Sequence, residues 1–176
     1  TVLKNNVAST GSTFTLTTGL EFADTTTAFM NGAVPSNFKF TGANEKIEAL
    51  AGTLNGTDTL IDATNSDNDV INIRSAGATL PTIGTLQNIE EINFINTAAN
   101  TMAANLATVT GAKKLTVSGT FAAGQAGITL SNPGATGITT FDFSGVTTTG
   151  AVGAVTLNMG TTTPTAALKI TGGAGN

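Results

Sequence analysis

Leu115-Thr116-Val117, Ile128-Thr129-Leu130, Phe141-Asp142-Phe143, Val155-Thr156-Leu157 and Leu168-Lys169-Ile170 each read apolar, polar, apolar. Their third positions are 117, 130, 143, 157 and 170, so the pattern returns at near-constant intervals. Gly, Asn and Pro stand between them, so each unit is a short strand followed by a turn. Alternate side chains of a strand share a face, so every run sends two apolar side chains to one interior and one polar side chain, usually Thr, to solvent. A spacing this regular, about 13 residues per unit, is an internal repeat. Two units make a coil of about 26 residues, and coils whose strands pair with those above and below form a β-solenoid. An antiparallel β-sandwich is the alternative, but hairpin turns of about two to five residues are shorter than the gaps of about ten seen here. The expected fold is therefore all-β, a parallel β-helix. Met102 to Val109 (Met-Ala-Ala-Asn-Leu-Ala-Thr-Val) is the one run with the composition of a short helix.

Upstream, Phe38-Lys39-Phe40, Ile71-Asn72-Ile73 and Ile89 to Ile95 continue the strand theme with less regular spacing. The step from Phe94 to Val117 falls short of two units, which reads as an interrupted repeat. The 176 residues form one elongated β domain with three zones: a Thr- and Phe-rich 1–42, an acidic 43–96, and regular coils over 97–176. Eight of the eleven acids lie in the middle zone, and beyond Asn96 only Asp142 is acidic. The chain opens on Thr1-Val2-Leu3-Lys4 and stops inside a Gly-rich motif, so it is expected to be a piece of a longer protein.

Composition narrows the chemistry. There is no His, Cys, Trp or Tyr, while 36 Thr, 17 Asn and 21 Gly make up much of the chain. Nucleophile–imidazole catalysis and zinc, copper or iron sites built on imidazole or thiolate are excluded. Seven scattered Lys and Arg and a net charge of −4 argue against nucleic acid, and no run approaches the length of a membrane helix. A glycosidase needs two carboxylates across a cleft, and Glu90 and Glu91 cannot both face one side of a strand. No enzymatic activity is expected. Oxygen ligands for a hard cation remain.

They concentrate in Gly56-Thr-Asp58-Thr-Leu-Ile-Asp62-Ala-Thr-Asn65-Ser-Asp67-Asn68-Asp69, four carboxylates and two side-chain carbonyls with no Lys or Arg among them. Such charges repel, and a divalent cation with six to eight oxygen ligands would relieve the repulsion and order the segment. A solvated cluster of Asx turns is the other reading. Asn65-x-Asp67-x-Asp69 starts like an EF-hand, but Val70 and Ala76 occupy the positions of its Gly and Glu, so it is not one. Glu45-Lys-Ile47, Asp58-Thr-Leu60 and Asp69-Val-Ile71 repeat a pattern of acid, any residue, aliphatic after a turn. Asn55-Gly56-Thr57 matches an N-glycosylation acceptor but reads better as a turn, and Glu21 and Asp24 are a weaker candidate pair that reads better as surface turn acids.

That pattern, with the terminal Gly172-Gly-Ala-Gly-Asn176, resembles degenerate and truncated copies of the calcium-binding RTX nonapeptide, Gly-Gly-x-Gly-x-Asp-x-aliphatic-x. The chain is similar to RTX-type surface-layer (S-layer) proteins of Gram-negative bacteria. The phrases that carry the likeness are Leu16-Thr-Thr-Gly19, Gly56-Thr-Asp-Thr-Leu60, Leu86-Gln-Asn-Ile-Glu-Glu-Ile-Asn93, Gly137-Ile-Thr-Thr-Phe-Asp-Phe-Ser144 and Leu168-Lys-Ile-Thr-Gly-Gly-Ala-Gly-Asn176, in that order. The resemblance implies a segment of a large protein exported by a type I system and displayed on the cell surface. Its job would be structural, a building block of a self-assembling layer, with Ca2+ stabilising fold and lattice. Partners would be copies of itself and adjoining segments of its parent chain, with cell-surface polysaccharide reached through other parts of the parent. Ligand roles would fall on Asp58, Asp69 and Glu45, with Asp62, Asn65 and Asp67 as neighbours. No complete Gly-Gly-x-Gly-x-Asp copy exists here, so one to three isolated ions are expected rather than a continuous ladder. An adhesin or biofilm-matrix module of a type I-secreted RTX protein is the alternative role.

Overall fold

A computed structural model describes residues 10–23, 30–31, 34–35, 40–75, 82–99, 101–121, 127–133, 137–148, 155–160 and 166–172. Their strands, β1 to β16 in chain order, form a β-solenoid. Its long side is a parallel sheet that stacks β1 (Thr10–Thr15), β5 (Asn44–Ala49), β7 (Val70–Ser75), β9 (Glu91–Ala99), β12 (Lys114–Phe121), β14 (Thr140–Thr148) and β16 (Lys169–Thr171) in that order. A second parallel sheet holds β2 (Phe22–Ala23), β6 (Thr59–Ile61), β8 (Thr85–Gln87) and β11 (Val109–Thr110). A third holds β10 (Met102–Asn105), β13 (Ile128–Ser131) and β15 (Val155–Asn158). Among the described residues only β3 (Met30–Asn31) and β4 (Val34–Pro35) pair antiparallel. The sandwich alternative is therefore excluded.

Register puts like on like. Phe14, Ile47, Ile71, Ile92, Leu115, Phe141 and Ile170 form one column across the long sheet. Ala49, Ile73, Phe94 and Val117 form the next. Leu60, Leu86 and Val109 face them from the second sheet, and Met102, Ile128 and Val155 belong to the third. Most of these side chains are fully buried, and each contributes about 1.5–3 kcal/mol relative to exposure. The last rung differs: Val155 and Ile170 are exposed although their partners Ile128 and Phe141 are buried, because no described residue lies over them.

The five runs of the repeat fall in β12 to β16, and runs two units apart are direct neighbours in one sheet. The interruption expected between Phe94 and Val117 does not exist: the two residues are register partners, and the step between them is one whole coil. Coil length varies along the column, shortest from Ile71 to Ile92 and longest from Phe14 to Ile47, because corners absorb insertions that strands do not. Met102 to Val109 is not helical. It contributes β10 and β11, and Met102 and Ala104 are buried while Ala103 and Asn105 are exposed, the period of a strand. Phe38 and Lys39 lie outside the described residues; Phe40 is buried in the core but not in a strand.

One corner positions the site. Asn88, between β8 and β9, is left-handed with φ +56°, and Gly111, beside it in the next coil, has φ +78°. There a Cβ on Gly111 would lie 2.5 Å from Asn88 Oδ1. In the preceding coil, between β6 and β7, Asp62 aligns with Asn88 and Asp69 with Glu90. Only Ile89 lies between Asn88 and Glu90, whereas 63–68 lie between Asp62 and Asp69, so the chain bulges at this corner.

Candidate metal centre

The corner leading into the long sheet carries an acid on three successive rungs: Glu45, Asp69 and Glu90, all buried. Successive rungs are tied by these side chains. The Glu45 amide donates to Asp69 Oδ1 (2.7 Å), and the Asp69 amide donates to Glu90 Oε2 (3.0 Å). Glu45 itself is held by Thr41, whose amide donates to Oε2 (3.2 Å) and whose hydroxyl donates to Oε1. The carboxylates thus satisfy the first N–H groups of neighbouring strands and are drawn inside by doing so.

The bulge adds two more acids. Asp62 is buried and accepts the Thr64 amide on Oδ2 (2.9 Å). Thr64 Oγ1 lies 2.6 Å from Asp62 Oδ2 and 2.7 Å from Asp67 Oδ2, and its single proton serves only one of them. The side chain of Asn44 tethers the bulge by accepting the Asn68 amide (3.1 Å).

Oxygens are left over. Asp62 Oδ1, Asp67 Oδ1, Asp69 Oδ2 and Glu90 Oε1 are buried without a hydrogen-bond donor. Burial pushes the Asp69 carboxyl up to about 8, reinforced by the charges of Glu45, Asp67 and Asp62 and opposed by the Glu45 amide. Burial also raises Glu90, with Asp67 adding to the effect and the Asp69 amide and Lys113 opposing it. A low-dielectric pocket that leaves carboxylate oxygens unpaired needs a proton or a cation.

The geometry admits a cation. One oxygen each from Glu45, Asp67 and Asp69 lies within 4.8 Å of the others, and this buried acidic group can hold a metal ion. Oxygens bound at about 2.3–2.6 Å to one hard cation stand at most about 5 Å apart, so the spread suits a single coordination sphere.

Of the residues singled out in the sequence, Glu45, Asp67 and Asp69 come together and Asp62 adjoins them through Thr64. Asn65 stands at the edge of the bulge, where its backbone carbonyl accepts from Lys113 Nζ. Asp58 is buried elsewhere, at the entrance to the second sheet, where Oδ1 accepts the Glu21 amide (3.1 Å) and Oδ2 the Asn55 amide (2.8 Å). Gly84 crosses directly beside it, and a Cβ there would stand 2.1 Å from the Asp58 carbonyl oxygen.

Glu21 is not a surface turn acid. It is buried, held by the Thr17 hydroxyl (2.6 Å), and its Oε2 has no donor. Burial raises its carboxyl, and Asp58 adds to that. Asp24 lies outside the described residues. Thr17-x-x-x-Glu21 and Thr41-x-x-x-Glu45 are therefore one motif used twice, and the Thr four positions ahead is a signal the sequence carried. Glu90, missed as a site residue, stands one coil beyond Asp69. As expected, it does not share a face with Glu91, which pairs with Lys114 outside (3.2 Å). Asn55 Oδ1 accepts the Thr57 amide (3.0 Å), the Asx turn expected of Asn55-Gly56-Thr57.

No protein-family model, curated protein or solved structure matches the chain. Among the described residues no helix is long and apolar enough to cross a membrane.

Proposed function

We propose that the chain is a structural segment of a secreted bacterial surface-layer protein, and that calcium bound at Glu45, Asp67 and Asp69, beside Asp62, clips neighbouring rungs together. The carrying observation is the set of buried carboxylate oxygens left without donors where the chain bulges between β6 and β7. Calcium suits them: the donors are all oxygen, the corner is irregular, and a flexible coordination sphere tolerates both. The rest of the molecule supports a passive role. Its surface is built of Thr and Asn on stacked strands, and polar ladders such as Asn93 to Asn72 (3.0 Å) and Asn72 to Glu48 (2.8 Å) stiffen the outer face. Exposed Val155 and Ile170 on the last rung favour contact with further rungs or with copies of the same chain.

Thermal melting in millimolar calcium against chelator tests the metal. The expected rise in Tm is about 5–10 °C, the size of mass-action stabilisation at roughly a hundredfold excess over Kd. No shift would remove calcium from the reading. Electron microscopy of the purified chain with calcium tests assembly, for which ordered sheets or oligomers are expected and strictly dispersed monomers would argue against the surface-layer role.

A further inference from the structure

The column of Glu45, Asp69 and Glu90 does not simply stop. The next residue in it is Lys113, whose amide donates to the Glu90 carbonyl (2.9 Å). Its ammonium turns back over the acidic corner. Nζ lies 3.7 Å from Glu90 Oε1, an oxygen buried with no hydrogen-bond donor, and donates to the backbone carbonyl of Asn65 in the bulge. One lysine thus engages both an oxygen of Glu90 and a backbone carbonyl of the bulge, on either side of the corner where Glu45, Asp67 and Asp69 gather.

We propose that Lys113 is the resident counter-ion of this corner and limits its appetite for metal: it balances the buried acids when no ion is bound and keeps Glu90 and the Asn65 carbonyl out of the ligand set. The inference rests on reading the corner as a cation site. Five carboxylates, Glu45, Asp62, Asp67, Asp69 and Glu90, meet here, and the ion pairs of Lys46, Arg74 and Lys114 go instead to Glu48 and Glu91. Among the described residues, Lys113 is the cation that reaches inside. An ammonium tethered at this corner opposes the approach of a divalent ion, while its own loss leaves Glu90 uncompensated. The two consequences have opposite signs.

Lys113→Met and Lys113→Arg in the full chain separate them. The lysine side chain is half exposed, so neither change disturbs the core. In isothermal titration with calcium chloride, Lys113→Met is expected to bind about tenfold more tightly than the parent, and Lys113→Arg like the parent. In chelator, Lys113→Met is expected to melt several degrees lower and Lys113→Arg unchanged. Equal calcium affinity in all three would overturn the limit on metal binding. An unchanged metal-free melt in Lys113→Met would overturn the counter-ion role. Should the parent bind no calcium at all, the calcium reading of the corner fails, and the metal-free melts alone decide whether Lys113 neutralises it.

Discussion

Two halves of one column do different things with the same backbone. Glu45, near the start of β5, shares a register position with Asp69 and Glu90 just before β7 and β9, and Lys113, Thr139 and Leu168 occupy it just before β12, β14 and β16. The main-chain bonds barely change between halves: Glu91 N to Asp69 O is 2.9 Å, Lys113 N to Glu90 O 2.9 Å, and Lys169 N to Thr139 O 2.8 Å. Stacking therefore does not require the acids. They are a costly addition to a ladder that holds without them, and a group retained at a cost in stability is where binding is to be sought.

The comparison breaks most visibly if the core, common to both halves, is cut. Phe94→Ala removes a fully buried ring between Ile73 and Val117 and should cost about 3–5 kcal/mol in urea unfolding, equally with calcium and with chelator. A cost confined to one of the two conditions would mean that metal and core are not separate supports.

Acidity comes next. In chelator the folded Asp69 titrates at about 8 and the unfolded one near 3.8, so between these values the folded chain holds a proton that the unfolded chain has released. Stability then falls as pH rises, by up to about 1 kcal/mol per pH unit for this group, with Glu90 and Glu21 raised in the same direction. Unfolding at pH 5 and pH 7.5 without metal should give the larger free energy at pH 5. Calcium, which demands ionised ligands, should flatten or reverse the slope. A metal-free stability that climbs with pH would contradict the burial of these acids.

Smaller, and opposite in sign to ordinary mutational damage, is the effect of Asp69→Asn. The amide oxygen still accepts from the Glu45 amide, while the buried group that must take up a proton on folding disappears. Without metal the variant should gain about 1–2 kcal/mol, and with calcium it should lose the metal's increment altogether. A variant weaker than the parent in chelator would mean that the Asp69 carboxyl stabilises the column rather than straining it.

How much of this is legible in the sequence depends on distance along the chain. The regular beat and the period-two runs are local, and they lead to the solenoid. Coil length is not local, which is why the span from Phe94 to Val117 reads as a gap, and why Ala-rich Met102 to Val109 reads as a helix although burial of Met102, Ala104, Leu106 and Val109 makes it part of the wall. The bulge from Asp62 to Asp69 announces itself as a run of acids. Its partners do not: Glu45 stands 24 residues before Asp69 and Glu90 21 after it, distances that become contacts only once the coil is known. Glu21 meets Asp58 across 37, the longest of these reaches.

The smallest effect sharpens the comparison most, because it concerns neighbouring residues of identical type. Lys113 and Lys114 are adjacent, but the strand alternation sends Lys114 to the outer face, where it pairs with half-buried Glu91 at 3.2 Å. Such a pair is worth roughly 0.2–1 kcal/mol and weakens with salt. Lys114→Ala should therefore lower stability by no more than about 0.5 kcal/mol at moderate salt, and calcium affinity should stay that of the parent. The contrast with Lys113→Met isolates position from charge, since both variants remove one positive charge from the same strand entrance. If Lys114→Ala tightened calcium as strongly as Lys113→Met, the corner would be responding to the net charge of the surface and not to a particular ammonium folded back over Glu90.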